Sequence, residues 1–132
     1  QEGKQWVYEA KKNKNLLLIN GIDHDSELLS SAYAAAKVFA LPARYETPGI
    51  AALEAGLAGS QIVITPFGGT KDYFEEMAHY VNPYSVDDIR NGIKIALNTP
   101  KNNKLSTHIQ NKFLWKHIAK STAEVYNAVC KK

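Results

Sequence analysis

With 132 residues, 45% of them hydrophobic and 22% charged, the chain suits one folded domain that buries about two thirds of its unfolded surface, and the balance excludes a disordered segment. Cys130 is the single cysteine, so no internal disulfide exists, and the longest apolar run near either end, Leu16 to Ile19, falls far short of the roughly 20 residues that cross a bilayer. The net charge of +3 is uneven, at +2 over residues 1–15, −5 over 16–100 and +6 over 101–132, and with no signal peptide at the start the expected location is the cytoplasm.

In chain order, hydrophobic spacing predicts a helix over Trp6–Lys12, already under way where the chain begins, so we expect the sequence to start within a longer polypeptide. Leu16–Asn20 reads as a short buried strand ended by Gly21, followed by a helix over Glu27–Ala36. Val38–Leu41 is the next strand, ended by Pro42, and leads to a helix over Pro48–Ala58. A strand over Ile62–Thr65, ended by Pro66, leads to a helix over Thr70–Met77. A weaker strand around His79–Val81 is closed by Asn82-Pro83, and Ser85 with Asp88 three residues on forms a capping box for a helix over Val86–Leu97. Short apolar runs alternating with amphipathic stretches are the pattern of βαβ units, so the expected fold is α/β, a doubly wound parallel sheet of Rossmann-like type. Beyond a loop at Pro100–Lys104, Trp115, Ile118, Ala119, Thr122, Val125, Tyr126 and Val129 recur at helical spacing and predict a terminal amphipathic helix whose stripe needs a surface to cover.

In open parallel sheets ligands bind beyond the carboxyl ends of the strands, which singles out the loops Gly21–Asp25, Pro42–Gly49 and Pro66–Thr70. In the second loop Thr47 is a good N-cap and Pro48 a good first helical residue. The amides of Gly49 and Ile50 are then left free at the positive end of a helix, which is an anion site. Glu46 lies just before this cap and Glu54 follows eight positions later. Carboxylates accept hydrogen bonds in pairs, which suits the vicinal hydroxyls of a ribose or hexose, while amides between them suit a diphosphate. Taken alone, two glutamates are more often a loop acid and a helix-surface acid, Gly68-Gly69 is more often an ordinary strand-to-helix turn, and Gly21-Ile22-Asp23 is equally a plain turn or a contact for a base. His24, His79, His108 and His117 are scattered without zinc-ligand spacing, so no metal is expected.

Read in order, four segments resemble the C-terminal domain of glycosyltransferase family 4. They are Leu18-Ile19-Asn20-Gly21, the strand Val38–Leu41 with Pro42, Glu46 through Glu54-Ala55-Gly56, and Ile62-Val63-Ile64-Thr65-Pro66-Phe67-Gly68-Gly69. The likeness runs from about Leu16 to Leu97 and more loosely through Phe113-Leu114-Trp115. That family has a GT-B fold, two Rossmann-like domains facing across a cleft, so the resemblance implies one half of such a fold. It implies that Glu46 is the catalytic position beside the donor sugar and that Glu54 holds the ribose hydroxyls. Gly49 and Ile50 would hold phosphate and sugar, with Thr47, Pro48, Gly68 and Gly69 along the donor and Ile22 by the base. The implied reaction moves a sugar from a nucleoside diphosphate donor to a glycan, lipid or polysaccharide acceptor with retention, without cofactor or metal. The implied partner is the chain's own N-terminal GT-B domain, which carries the acceptor site and the basic pair for the diphosphate. Thr47-Pro48 stand where the family has Gly-Phe, and Arg44 and Lys71 are the only basic residues in the site loops. Two rivals remain open, a GT-B sugar-nucleotide epimerase and a non-catalytic Rossmann-like module. The module would dock a protein or the inner face of a membrane peripherally through the basic C-terminal helix, whose lysines lack the interleaved aromatics of a nucleic-acid surface.

Overall fold

The computed structural model describes residues 2–130, with side chains from Val7 onward, and groups the chain into two compact units, Gln1–Ser30 and Ser31–Lys132. In the first unit α1 (Glu2–Lys12) ends in Lys11 and Lys12, cations suited to the carbonyl end of a helix. A turn follows in which the Leu16 N–H donates to the Asn13 carbonyl at 2.9 Å. The strand expected over Leu16–Asn20 does not form: among the described residues no strand pairs with it, and Leu17 is 86% exposed. Three of its four apolar side chains are leucines, unbranched at Cβ, and such a run becomes a strand only when a neighbouring ladder takes up its backbone groups. A helix, α2 (Glu27–Ala35), spans the boundary between the units.

The second unit is built on a parallel sheet of β1 (Val38–Leu41), β2 (Gln61–Ile64) and β3 (His79–Tyr80), in that spatial order, with Val38 opposite Gln61 and Val63 opposite His79. The expected α/β class and parallel sheet are therefore present. Period-two alternation along β2 feeds both faces. Ile62 and Ile64 are buried with Ala52 and Ala55 of α3 (Ile50–Leu57), Phe74 of α4 (Thr70–Phe74), and Leu105 and Ile109 of α6 (Lys104–Lys112). Val63 is buried on the other side with Val81 and with Ala96 of α5 (Val86–Asn98), flanked by Ile89 and Ile93. Small residues set the helix spacing: a Cβ on Gly56 would stand 3.0 Å from side-chain carbons of both Leu105 and Ile109, so α3 and α6 close on each other where α3 has least bulk.

The cap of α5 forms as expected, the Ser85 hydroxyl accepting from the Asp88 N–H at 3.2 Å, but the Asp88 carboxylate reaches back to the Asn82 N–H at 2.7 Å rather than to Ser85. Helix α4 stops short of the expected Met77 because Glu75 turns to a φ of 47°. The terminal region holds two helices, not one. α6 precedes α7 (Trp115–Cys130), and α7 buries none of its residues, so its apolar stripe, with Trp115 80% exposed, lies uncovered among the described residues. No helix of the described residues is long and apolar enough to cross a membrane.

Candidate functional site

The loops that follow β1 and β2 are stitched together by backbone. The Glu46 N–H donates to the Phe67 carbonyl and the Gly69 N–H to the Glu46 carbonyl, each at 3.1 Å, which makes an isolated parallel bridge of Glu46 with Gly68. Gly68 has a φ of 102°, and a Cβ there would fall 2.1 Å from the Glu46 carbonyl oxygen, so only glycine lets the loops meet. Gly69 packs against Thr47, with 3.0 Å between an added Cβ and the threonine Cγ2. Four of the residues expected to line a site, Glu46, Thr47, Gly68 and Gly69, are thus brought together.

Beneath the second loop two buried threonines hold its shape. The Thr70 hydroxyl donates to the Thr65 carbonyl at 2.8 Å, and the Thr65 hydroxyl accepts from the Phe67 N–H at 3.3 Å. Sequence reasoning passed over this clamp. Its signal is a threonine at each end of a Pro-Phe-Gly-Gly loop, where a side chain can reach its own backbone.

The start of α3 differs from expectation. Thr47 does not cap the helix and Pro48 lies ahead of it. Gly49 takes the cap with φ 75° and ψ 55°, and its carbonyl accepts from the Ala52 and Leu53 N–H groups at 2.9 and 3.0 Å. The left-handed backbone that turns the chain into the helix suits a residue without Cβ, which displaces the cap two positions beyond Thr47. The Thr47 N–H is engaged elsewhere, donating to the Glu46 carboxylate at 3.1 Å. No side chain caps α3, so its first amides, beginning with Ile50, open at the positive end of the helix.

Glu54 sits in the second turn of α3, half-buried. Burial first, then the negative charge of Glu54, raises the Tyr33 phenol above its ordinary pKa. Glu54 also lines an apolar groove of about 390 Å³ with Pro48, Ile50, Tyr73 and Trp115; Glu46 and the glycine pair lie at the bridge and are not part of that lining. Ile22 belongs to the first unit, half-buried beside Gly21 at φ 87°. The two cations of the loops stand over aromatic rings, Arg44 over Tyr84 and Lys71 over Tyr80, each 5.8 Å from the ring centre. Among the described residues no three His, Cys, Asp or Glu side chains are grouped so that they could hold a metal ion.

Residues 1–113 match the protein family described as glycosyl transferases group 1. An uncharacterized glycosyltransferase of Methanocaldococcus jannaschii is 30% identical over an alignment 109 residues long that covers 77% of this chain and 28% of that protein. Sucrose-phosphate synthase from Thermosynechococcus elongatus has a similar fold over 96% of this chain and 33% of its own, with a TM-score of 0.80 and 27% identity. The chain therefore spans no more than 33% of the length of either relative.

Proposed function

Since the chain belongs to the glycosyl transferases group 1 family, we propose that it is the donor-binding half of a retaining glycosyltransferase of family 4 type, moving a hexose from a nucleoside diphosphate sugar to an acceptor. The observation that carries the reading is the Glu46–Gly68 bridge set beside the uncapped start of α3, with Glu54 one turn into the same helix. In this reading the diphosphate lies against the open amides of α3, beginning with Ile50, where the charge that builds on the leaving group is stabilised without rearrangement. Glu46, its carboxylate steadied by the Thr47 N–H, faces the sugar from the bridged loops, with Gly49, Gly68 and Gly69 letting the donor approach the backbone. Glu54 accepts the ribose hydroxyls. Thr47 and Pro48 shape the sugar end of the site. The acceptor and the cations that complete neutralisation of the diphosphate belong to the protein's other GT-B half. Consistent with this, the chain matches only 28% and 33% of its relatives' lengths. The docking-module alternative is not favoured beside relatives that are transferases.

The test uses the full-length protein with UDP- and GDP-linked hexoses. Glu46→Gln is expected to lower kcat by about 10²- to 10³-fold, as for loss of a preorganised group at the reacting centre. Glu54→Gln is expected to raise donor KM by roughly 10- to 100-fold with little change in kcat, since it weakens hydrogen bonds to a charged acceptor. Nuclear magnetic resonance of the fresh product should show the anomeric configuration of the donor kept. An inverted product, or a folded protein that binds no nucleoside diphosphate sugar, would end the proposal.

A further inference from the structure

Glu46 is placed by a loop to which it does not belong. Its N–H donates to the Phe67 carbonyl and its carbonyl accepts from the Gly69 N–H, each at 3.1 Å, so the segment after β2 holds its backbone on both sides. Its side chain is settled locally: the carboxylate accepts from the Thr47 N–H at 3.1 Å, and its Cγ lies 3.3 Å from where a Cβ on Gly49 would stand. What fixes the gripping loop is the pair Thr65 and Thr70. Thr65 directly follows the central strand β2, Thr70 opens α4, and both side chains are fully buried. The Thr70 hydroxyl ties the two ends of the loop together by donating to the Thr65 carbonyl at 2.8 Å. The Thr65 hydroxyl accepts at 3.3 Å from the N–H of Phe67, the residue whose carbonyl receives the Glu46 N–H. These bonds close a ring that runs from Thr65 through Phe67, Glu46 and Gly69 to Thr70 and back. Burying a hydroxyl costs desolvation that a methyl group does not, so valine would serve packing alone at least as well at either position. The hydroxyls supply direction.

We propose that Thr65 and Thr70 are positioning residues for Glu46, setting through the Phe67–Glu46–Gly69 bonds where its carboxylate meets the donor sugar. This rests on the reading of Glu46 given above. The diphosphate and ribose contacts of that reading belong to α3, outside the ring, so loosening the clamp acts on the reacting centre rather than on donor capture. Misplacement by about 1 Å at a reacting centre can cost about 10²-fold in rate.

The experiment uses the full-length protein with UDP-glucose and GDP-mannose, reading kcat and donor KM from nucleotide release well below each variant's melting temperature. It compares Thr70→Val, Thr70→Ser, Glu46→Gln and the double variant of Thr70→Val with Glu46→Gln. Ser60→Ala is the control for a merely structural loss, because its buried hydroxyl lies 3.3 and 2.9 Å from the Tyr33 and Ala36 carbonyls at the opposite end of β2 from Thr65. Thr70→Val is expected to lower kcat about 5- to 50-fold with donor KM within about threefold, while Thr70→Ser, which keeps the hydroxyl, stays within about threefold of the native kcat. Ser60→Ala should lower the melting temperature and leave kcat within about twofold, and Thr70→Val should add less than about twofold once Glu46 is glutamine. If Thr70→Val does not fold, Thr65→Val, which removes only the bond to the Phe67 N–H, is read in its place. A native kcat in the folded valine variant, an equal loss in Thr70→Ser, or a loss of the same size in the Glu46→Gln background would overturn the proposal. A native kcat in Glu46→Gln would instead remove the reading of Glu46, and the role of the threonines with it, whatever Thr70→Val does.

Discussion

Gly68 carries two burdens, a left-handed backbone, which other turn glycines of the chain share, and a carbonyl in the place of its missing Cβ, which they do not. Gly59 has nearly the same φ, 97° against 102°, but nothing lies within 4 Å of an added Cβ there. The pair separates conformational strain from collision. Gly59→Ala should cost only the strain of a left-handed alanine, about 1 kcal/mol. Gly68→Ala must also break the Glu46 bridge, so we expect about 1–3 kcal/mol more in urea denaturation and a loss of donor binding. Equal costs at the two positions would show that the bridge contributes nothing. That Gly68-Gly69 turns the chain from β2 into the next helix was legible from the sequence, because a strand end followed by glycines and a helix start is a local pattern. Which residue caps α3 was not. Thr47-Pro48 satisfies every local rule for a cap and first turn, and the bridge to the second loop, a contact between residues 22 positions apart, draws Thr47 away from that role.

At the scale of elements the same division between local and distant information decides what could be read. β1, β2 and α5 were legible, the strands by apolar runs ended with proline and the helix by Ser85 with Asp88, all features a short window contains. α6 was missed because its sequence holds only two large apolar residues, Leu105 and Ile109, too few to show a period, yet both are buried against α3. α7 shows the reverse. Its stripe satisfies the helical period along the whole element while none of its residues is buried, because a stripe records what a helix can cover, not what covers it. The two helices therefore rank opposite to their hydrophobic patterns in their effect on stability. Leu105→Ala should cost roughly 2–5 kcal/mol, as for a core leucine whose cavity cannot fully collapse. Val125→Gln and Val129→Gln, at sites 62% and 68% exposed, should change stability by no more than about 0.5 kcal/mol. Chemical denaturation of the three variants checks the ranking, and a large loss at Val125 or Val129 would show that α7 has a folded partner surface.

For the molecule as a whole, stability against pH is bounded by two groups that meet at Glu75. The Tyr80 hydroxyl donates to the Glu75 carbonyl at 2.7 Å, and burial, then the charges of Glu76, Asp72 and Glu75, push its phenol up to about 12. The folded state thus holds the Tyr80 proton more tightly than an unfolded chain, in which tyrosine ionises near 10. Its contribution is complete below pH 10 and is lost as pH rises toward about 12. The Glu75 carboxylate is shifted the other way. The hydrogen bond from the Lys112 ammonium at 3.0 Å outweighs the opposing effect of desolvation and, with the charges of Lys112 and the nearby His108, holds its pKa below the usual carboxylate value. That contribution is present above the ordinary carboxylate range and disappears as pH falls through the lowered value. Urea midpoints measured across pH should therefore form a plateau with an alkaline shoulder due to Tyr80 and an acid shoulder due to the Glu75–Lys112 pair. Tyr80→Phe lowers the plateau, because the bond to the Glu75 carbonyl is gone, but its curve should converge on the native one as pH approaches 12, where the native phenol has also lost its proton. Lys112→Ala should flatten only the acid shoulder, and raised salt should do the same, since an exposed pair is screened over about 8–10 Å at moderate ionic strength. Parallel curves for Tyr80→Phe and the native protein up to pH 12 would mean that the phenol titrates alike in both states, and the burial of Tyr80 beside Asp72, Glu75 and Glu76 would then have no part in setting the alkaline limit.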